Sequence, residues 1–213
     1  MNFDELLSIV GDEPLFETSL LLAGEVEPAH IHRQLARWVK AGRLIRLRRG
    51  LYALAPPYRK RDPHHFLVSN RLSRPSCVSL HSALAFHGLI PEAVTVTTGV
   101  TTRRPERLAT PLGEFEFRHI KKELFFGYSA VDVAPGQTAL VARAEKALLD
   151  LVYLTAGVEG RAYLEGLRLQ GLDDLKAGVL EDYAARFESP KIERAAGEIE
   201  RLARRQAGEY EKL

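Results

Sequence analysis

The 213-residue sequence has a single cysteine, Cys77. One thiol cannot close an internal disulfide, and no second thiol stands ready for a zinc site. No apolar run approaches the roughly 20 residues that a membrane-spanning helix needs; Leu20 to Ala23 is among the longest. The N-terminus, Met1-Asn2-Phe3-Asp4-Glu5, has no basic leader segment, so a secretory signal is not expected and a cytoplasmic protein is. The sequence also lacks a GxGxxG loop, a phosphate-binding P-loop, an HExxH helix and a serine nucleophile elbow. These absences remove the commonest nucleotide, zinc-protease and hydrolase chemistries. Neither a cofactor nor a metal is called for. The adjacent His64-His65 have no cysteine or carboxylate close by at ligand spacing.

Hydrophobic residues make up 46% and charged residues 27%, which excludes a disordered chain. The net charge of +2 is uninformative, but its distribution is not. Up to Glu27 every charged side chain is acidic: Asp4, Glu5, Asp12, Glu13, Glu17, Glu25 and Glu27. From Pro28 to Arg61 every one is basic, starting with Arg33, Arg37 and Lys40 and ending with Arg59, Lys60 and Arg61. A one-sided stretch of this kind is a candidate phosphate-binding surface.

Phe3, Leu6, Leu7 and Val10 fall at helical spacing, and Gly11 ends that helix. Thr18-Ser19 can cap a short second helix that Gly24 stops. Pro28 suits the first turn of a third helix, which Gly42 closes. In that helix Ile31, Leu35, Trp38 and Val39 form an apolar face. His30, Arg33, Gln34 and Arg37 form a separate polar stripe, roughly 130° away. Arg and Gln can pair bidentately with guanine and adenine edges. Residues Arg43 to Leu54 read as two strands around a turn at Arg49-Gly50, with Leu47, Leu51 and Tyr52 inward and Arg46, Arg48 and Arg49 outward. A basic hairpin after a basic helix is the layout of a wing that can lie along the phosphate backbone or in the minor groove.

The expected fold class is therefore α+β. A winged helix-turn-helix at 1–57 binds double-stranded DNA, and a mixed α/β domain at 64–213 ends in a helical tail. The DNA-binding set is Thr18, Ser19, His30, Arg33, Gln34, Arg37, Lys40, Arg43, Arg46, Arg48 and Arg49. Pro56 to Pro63 reads as a linker. Beyond it, helices are expected over Phe66 to Leu72 and from Ser79 to His87. Strands are expected at Cys77-Val78, Val94 to Thr98, Gly113 to Ile120, Tyr128 to Val133 and Thr138 to Val141. A helix from Ala144 to Thr155 follows, and the last helix starts at Ser189-Pro190.

Several stretches, in their order, resemble the AbiEi-type antitoxins of type IV toxin–antitoxin systems. They are Lys40-Ala41-Gly42-Arg43-Leu44 leading to Arg49-Gly50-Leu51-Tyr52, Val78 to Leu84 with His87-Gly88-Leu89, Thr101 to Pro105, Arg118-His119-Ile120 with Leu124 to Tyr128, and Glu145 to Asp150. The family often starts the helix at Glu145 with a small polar residue and proline, where this chain has Arg143-Ala144. The resemblance implies a repressor that binds inverted repeats in its own operon promoter and opposes a nucleotidyltransferase toxin. Thr102, Arg103, Arg104, Lys146 and Asp150 would then mark the surface of an antitoxin domain. No membrane partner is implied; self-association is compatible with it.

Other readings stay open. One is a stand-alone winged-helix transcription factor whose C-terminal domain binds a ligand or a protein. Another is a nuclease-like enzyme using Glu145, Lys146, Asp150 and His119. Adjacent Glu145 and Lys146 would point about 100° apart on a helix, which argues against the enzyme.

Overall fold

The computed structural model describes residues 1–22, 27–156 and 161–210. The architecture is mixed α+β, with a helical region at the N-terminus. Helix α1 (Phe3–Val10) starts at a reciprocal cap: Asn2 accepts from the backbone of Glu5, and Glu5 accepts from the backbone of Asn2. A short strand β1 (Phe16–Glu17), helix α2 (Thr18–Leu21) and helix α3 (Pro28–Lys40) follow. The expected end of the second helix, at Ala23-Gly24, lies outside the described residues. Strands β2 (Leu44–Arg48) and β3 (Leu51–Leu54) then form a hairpin, and β1 pairs on the far side of β3, giving an antiparallel sheet of order β1-β3-β2. Gly50 carries the turn at φ +84°, a backbone region that strains a residue with a Cβ.

Helices and sheet enclose one apolar core. Phe3, Leu6 and Val10 of α1 meet Ile31, Leu35 and Trp38 of α3, and Leu44, Tyr52 and Leu54 of the hairpin. The spacing that predicted the third helix is thus the spacing of the residues it buries.

After residues 56–63, which form turns without regular structure, come α4 (His65–Leu72), β4 (Ser76–Val78), α5 (Leu80–Phe86), β5 (Val96–Thr101), β6 (Glu106–Thr110), β7 (Gly113–His119), β8 (Tyr128–Ala134) and β9 (Gln137–Ala142). The six strands form one mixed sheet of order β6-β7-β5-β4-β9-β8. Strand β5 begins two residues later than the alternation suggested, and β6 was not foreseen. Gly99 of β5 crosses Cys77 of β4 so closely that a Cβ there would lie 2.6 Å from the Cys77 carbonyl oxygen. The absence of a side chain sets that strand spacing.

Helix α6 (Ala144–Leu154) packs with α5 against this sheet. Residues α7 (Arg161–Gly166), α8 (Ala177–Ala185) and α9 (Pro190–Tyr210) complete the helical layer. Arg143 stands at the N-cap of α6 without a side-chain cap bond, so the helix begins at Ala144 although the proline is missing. Glu200 and Arg204 of α9 form the expected i,i+4 pair at 3.6 Å.

A third apolar cluster joins the two halves. Leu47, Leu51 and Ala53 of the hairpin meet Leu67, Val68 and Leu72 of α4 and Phe115 and Phe117 of β7. The basic hairpin therefore rests on the C-terminal half. Gln137 secures the turn segment beside it by accepting from His64 N (2.8 Å) and donating to the Asp62 carbonyl (2.9 Å).

Two expectations are corrected by burial. Lys146 and Asp150, expected on the surface, are 1% and 0% exposed on their side chains and pair with each other. They are one turn apart on α6, with Asp150 against Ser79 and Lys146 against the Phe126 and Phe187 rings, and an i,i+4 pair has the same sequence signature inside or outside. Thr18 is also buried, with the Gly50 turn against it. The cap position of α2 belongs to Glu17, which makes no side-chain cap bond.

Candidate nucleic-acid interface

Pro28 sits in the first turn of α3, and Arg37 and Lys40 in the last, where cations complement the helix dipole. With Ile31, Leu35 and Trp38 turned into the core, His30, Arg33, Arg37 and Lys40 are left exposed on the outer side. Gln34 is half-buried and donates through Nε2 to His30 Nε2 at 2.9 Å, so the two side chains brace each other. Gln34 Oε1 has no hydrogen-bond partner. That oxygen is buried, so reading an adenine edge would require the Gln34 side chain to turn outward and release His30.

The hairpin adds Arg43, Arg46 and Arg49, all exposed. Arg43 lies over the Phe3 ring, 4.9 Å from its centroid, which fixes its stem while leaving charge outward. Arg33, Arg37, Lys40, Arg46 and Arg49 form no salt bridge among the described residues. Ser19 is exposed as well.

The other cations of the basic stretch are internally engaged. Arg59 meets Asp62 at 2.5 Å, Lys60 meets Asp12 at 2.9 Å and Arg61 meets Asp12 at 3.7 Å. The Lys60 hydrogen bond holds the Asp12 carboxyl below its ordinary range. Arg48 is turned away from the rest. A bulge between Arg46 and Arg48 shifts the register of β2 against β3, and bulges bend a strand and re-aim its side chains. Arg48 consequently donates to the Leu72 carbonyl at 2.5 Å and meets Glu106 of β6 at 3.3 Å. Its place outward on the wing is corrected to a tie between the hairpin and the C-terminal half.

Residues 19–55 match the family model of the AbiEi antitoxin, a transcriptional regulator. The AbiEi match takes in α3 and both strands of the basic hairpin. It is a match to a family of regulators and not of enzymes. It stops at residue 55, so the resemblances drawn between Val78 and Asp150 lie outside it. No curated protein matches the chain.

The C-terminal polar residues have structural partners. Asp150 accepts from Ser79 Oγ at 2.8 Å and from Lys146 Nζ. Lys146 Nζ also lies 4.9 Å from the Phe126 ring centroid and 5.0 Å from that of Phe187. Burial pushes the Asp150 carboxyl up, while Lys146 and Ser79 pull it back. Burial likewise pushes the neighbouring Cys77 thiol up, which leaves it unreactive. Glu145 is buried and accepts from Lys176 N at 3.0 Å, whereas His119 is exposed and donates to the Arg103 carbonyl at 2.9 Å. Of the four residues of the nuclease reading, Lys146 and Asp150 pair with each other in the core, while Glu145 and His119 bond to separate backbone groups elsewhere. Among the described residues no three His, Cys, Asp or Glu side chains are gathered as metal ligands. No described helix is long and apolar enough to cross a membrane. Thr102 is half-buried, while Arg103 and Arg104 are exposed.

Arg71 and Arg74 were passed over in the sequence, because a lone arginine near a helix end carries no periodic signal. In the fold they stand close to Arg49, and both reach the same Glu17 carboxylate oxygen, at 3.4 and 2.9 Å.

Proposed function

We propose that the N-terminal module is a winged helix-turn-helix that binds double-stranded DNA and makes this protein a transcriptional regulator. Helix α3 enters the major groove, where His30, Arg33, Gln34 and Arg37 meet base edges. Arg46 and Arg49 contact the phosphate backbone from the hairpin, with Lys40 and Arg43 beside them and Ser19 at the margin. One observation carries this reading: six exposed Arg and Lys side chains on α3 and the hairpin, Arg33, Arg37, Lys40, Arg43, Arg46 and Arg49, have no carboxylate partner among the described residues. The remaining charges from Arg48 to Arg61 are neutralised within the fold. The packing of α3 on the sheet β1-β3-β2 supports the same conclusion, since Ile31, Leu35 and Trp38 meet Leu44, Tyr52 and Leu54 and leave the cationic side of the helix outward.

The AbiEi match supports the finer role of an antitoxin that represses its own operon through promoter inverted repeats, in the cytoplasm. The functional counterpart would be a nucleotidyltransferase toxin, opposed by the domain after residue 64. A mobility-shift titration with the DNA upstream of the protein's own gene, competed with random duplex, tests the regulator. Specific retention of the upstream fragment is the expected result; equal competition by random duplex rejects self-regulation. Co-expression with a neighbouring nucleotidyltransferase tests the antitoxin, the expected outcome being restored growth.

A further inference from the structure

Two adjoining clefts separate the basic hairpin from the C-terminal half, about 400 and 440 Å³ in volume, and both are lined by Arg48 and Arg103. Arg49, Arg71 and Arg74 line the first and Arg104 the second. Six guanidinium groups thus surround a space that contains only two carboxylates, Glu17 and Glu106. Glu17 is shared by Arg71 and Arg74, and Glu106 is engaged by Arg48. The side chains of Arg49, Arg103 and Arg104 have no carboxylate partner among the described residues. The wall also holds Thr18, whose residue is 6% exposed and whose hydroxyl oxygen has no hydrogen-bond partner.

We infer that this arginine-lined cleft between hairpin and C-terminal half is a binding site for a phosphoryl group. Guanidinium groups match phosphate oxygens in bidentate geometry, and several converging on one concavity stay mutually repulsive until an anion enters. The residues come from three places: the hairpin turn, the end of α4 with the segment after it, and the segment between β5 and β6. A phosphoryl group held there links the hairpin to the C-terminal half. Its source is either a phosphodiester of a bound duplex or a free phosphorylated small molecule. The inference extends the DNA-binding reading but does not need it, because pyrophosphate alone can probe the cleft.

The test uses the full chain and its Arg103→Ala/Arg104→Ala form. Both changed side chains are exposed and unpaired, so thermal unfolding should be unaltered; Arg104→Gln alone serves as a milder second variant. Duplex affinity is measured across a salt series, and pyrophosphate binding is measured by calorimetry at low salt. A duplex source makes the salt slope of the double variant shallower by about two units, and Arg103→Lys/Arg104→Lys restores it. A free phosphoryl ligand leaves the slope unchanged, while the wild type binds pyrophosphate and the double variant loses that binding at least tenfold. If the wild type binds no pyrophosphate and the slope is the same in both forms, the inference is overturned. Failure of the DNA reading alone shows as a wild type that binds no duplex, with the calorimetry still deciding the cleft.

Discussion

Helices α3 and α6 are both amphipathic, both begin without a side-chain cap bond, and both carry charged residues one turn apart. They use those charges in opposite ways. In α3 the core takes Ile31, Leu35 and Trp38, and the cations are left outside with no acid to meet among the described residues. In α6 the charges are inside: Lys146 and Asp150 neutralise each other, Ser79 completes the carboxylate, and two aromatic rings flank the ammonium. Folding accounts for the polar groups of α6 in full. It does not account for those of α3, and an unexplained charge is where an external partner is to be sought.

The largest test of the contrast is in α6. Asp150→Ala should cost about 3–5 kcal/mol in urea unfolding, because it strands a buried ammonium. Replacing the pair together, Lys146→Met/Asp150→Leu, should cost much less than that. A single variant as stable as the wild type would return these residues to the functional column.

The opposite pattern is expected in α3. Arg33→Ala should weaken specific duplex binding by roughly 1–3 kcal/mol and relax sequence choice. Its unfolding curve should match that of the wild type, since no described partner is lost.

Within the hairpin two neighbouring arginines should separate. Arg48→Ala should lower stability by about 1 kcal/mol, discounted for its partial exposure, and leave the salt slope of DNA binding unchanged. Arg46→Ala should leave stability alone and reduce the slope by about one unit. If the two behave alike, the bulge has not divided their roles.

The smallest effect concerns His64, whose Nδ1 accepts from Phe66 N at 3.2 Å at the start of α4. Burial lowers its pKa in the folded chain below the ordinary value of 6.5. The folded state therefore binds fewer protons than the unfolded one. The stability it contributes is present above 6.5 and is lost as pH falls through the lower, folded value. The loss should be no more than about 0.5 kcal/mol, because the ring is half-exposed and screened. His64→Asn keeps a cap acceptor and should flatten that part of the pH–stability curve.

Periodic features were legible from residues alone. The apolar stripe of α3, the alternation that buries Phe115 and Phe117, the extent of α6 and the apolar spacing of α9 all follow from which residues must leave water. Features set by distant neighbours were not. Strand β6 has a weak alternation of half-buried and exposed residues because it lies at the sheet edge. Arg48 reads as one more wing cation until the bulge turns it toward Glu106. The seat of the hairpin on α4 and β7 joins residues far apart in sequence, which no local pattern encodes. Of the candidate interface, the exposed stripe of α3 was readable, whereas Arg71 and Arg74 became visible only beside Arg49.

The central claim rests on the unpaired cations of α3, and one titration addresses it. Anisotropy of a labelled duplex from upstream of the gene is followed with the wild type and with Arg33→Ala/Arg37→Ala, at one fixed salt concentration and after both are shown to melt alike. The account predicts that the double variant loses about 100-fold or more in specific affinity. Equal affinity of the two proteins for that duplex would contradict it.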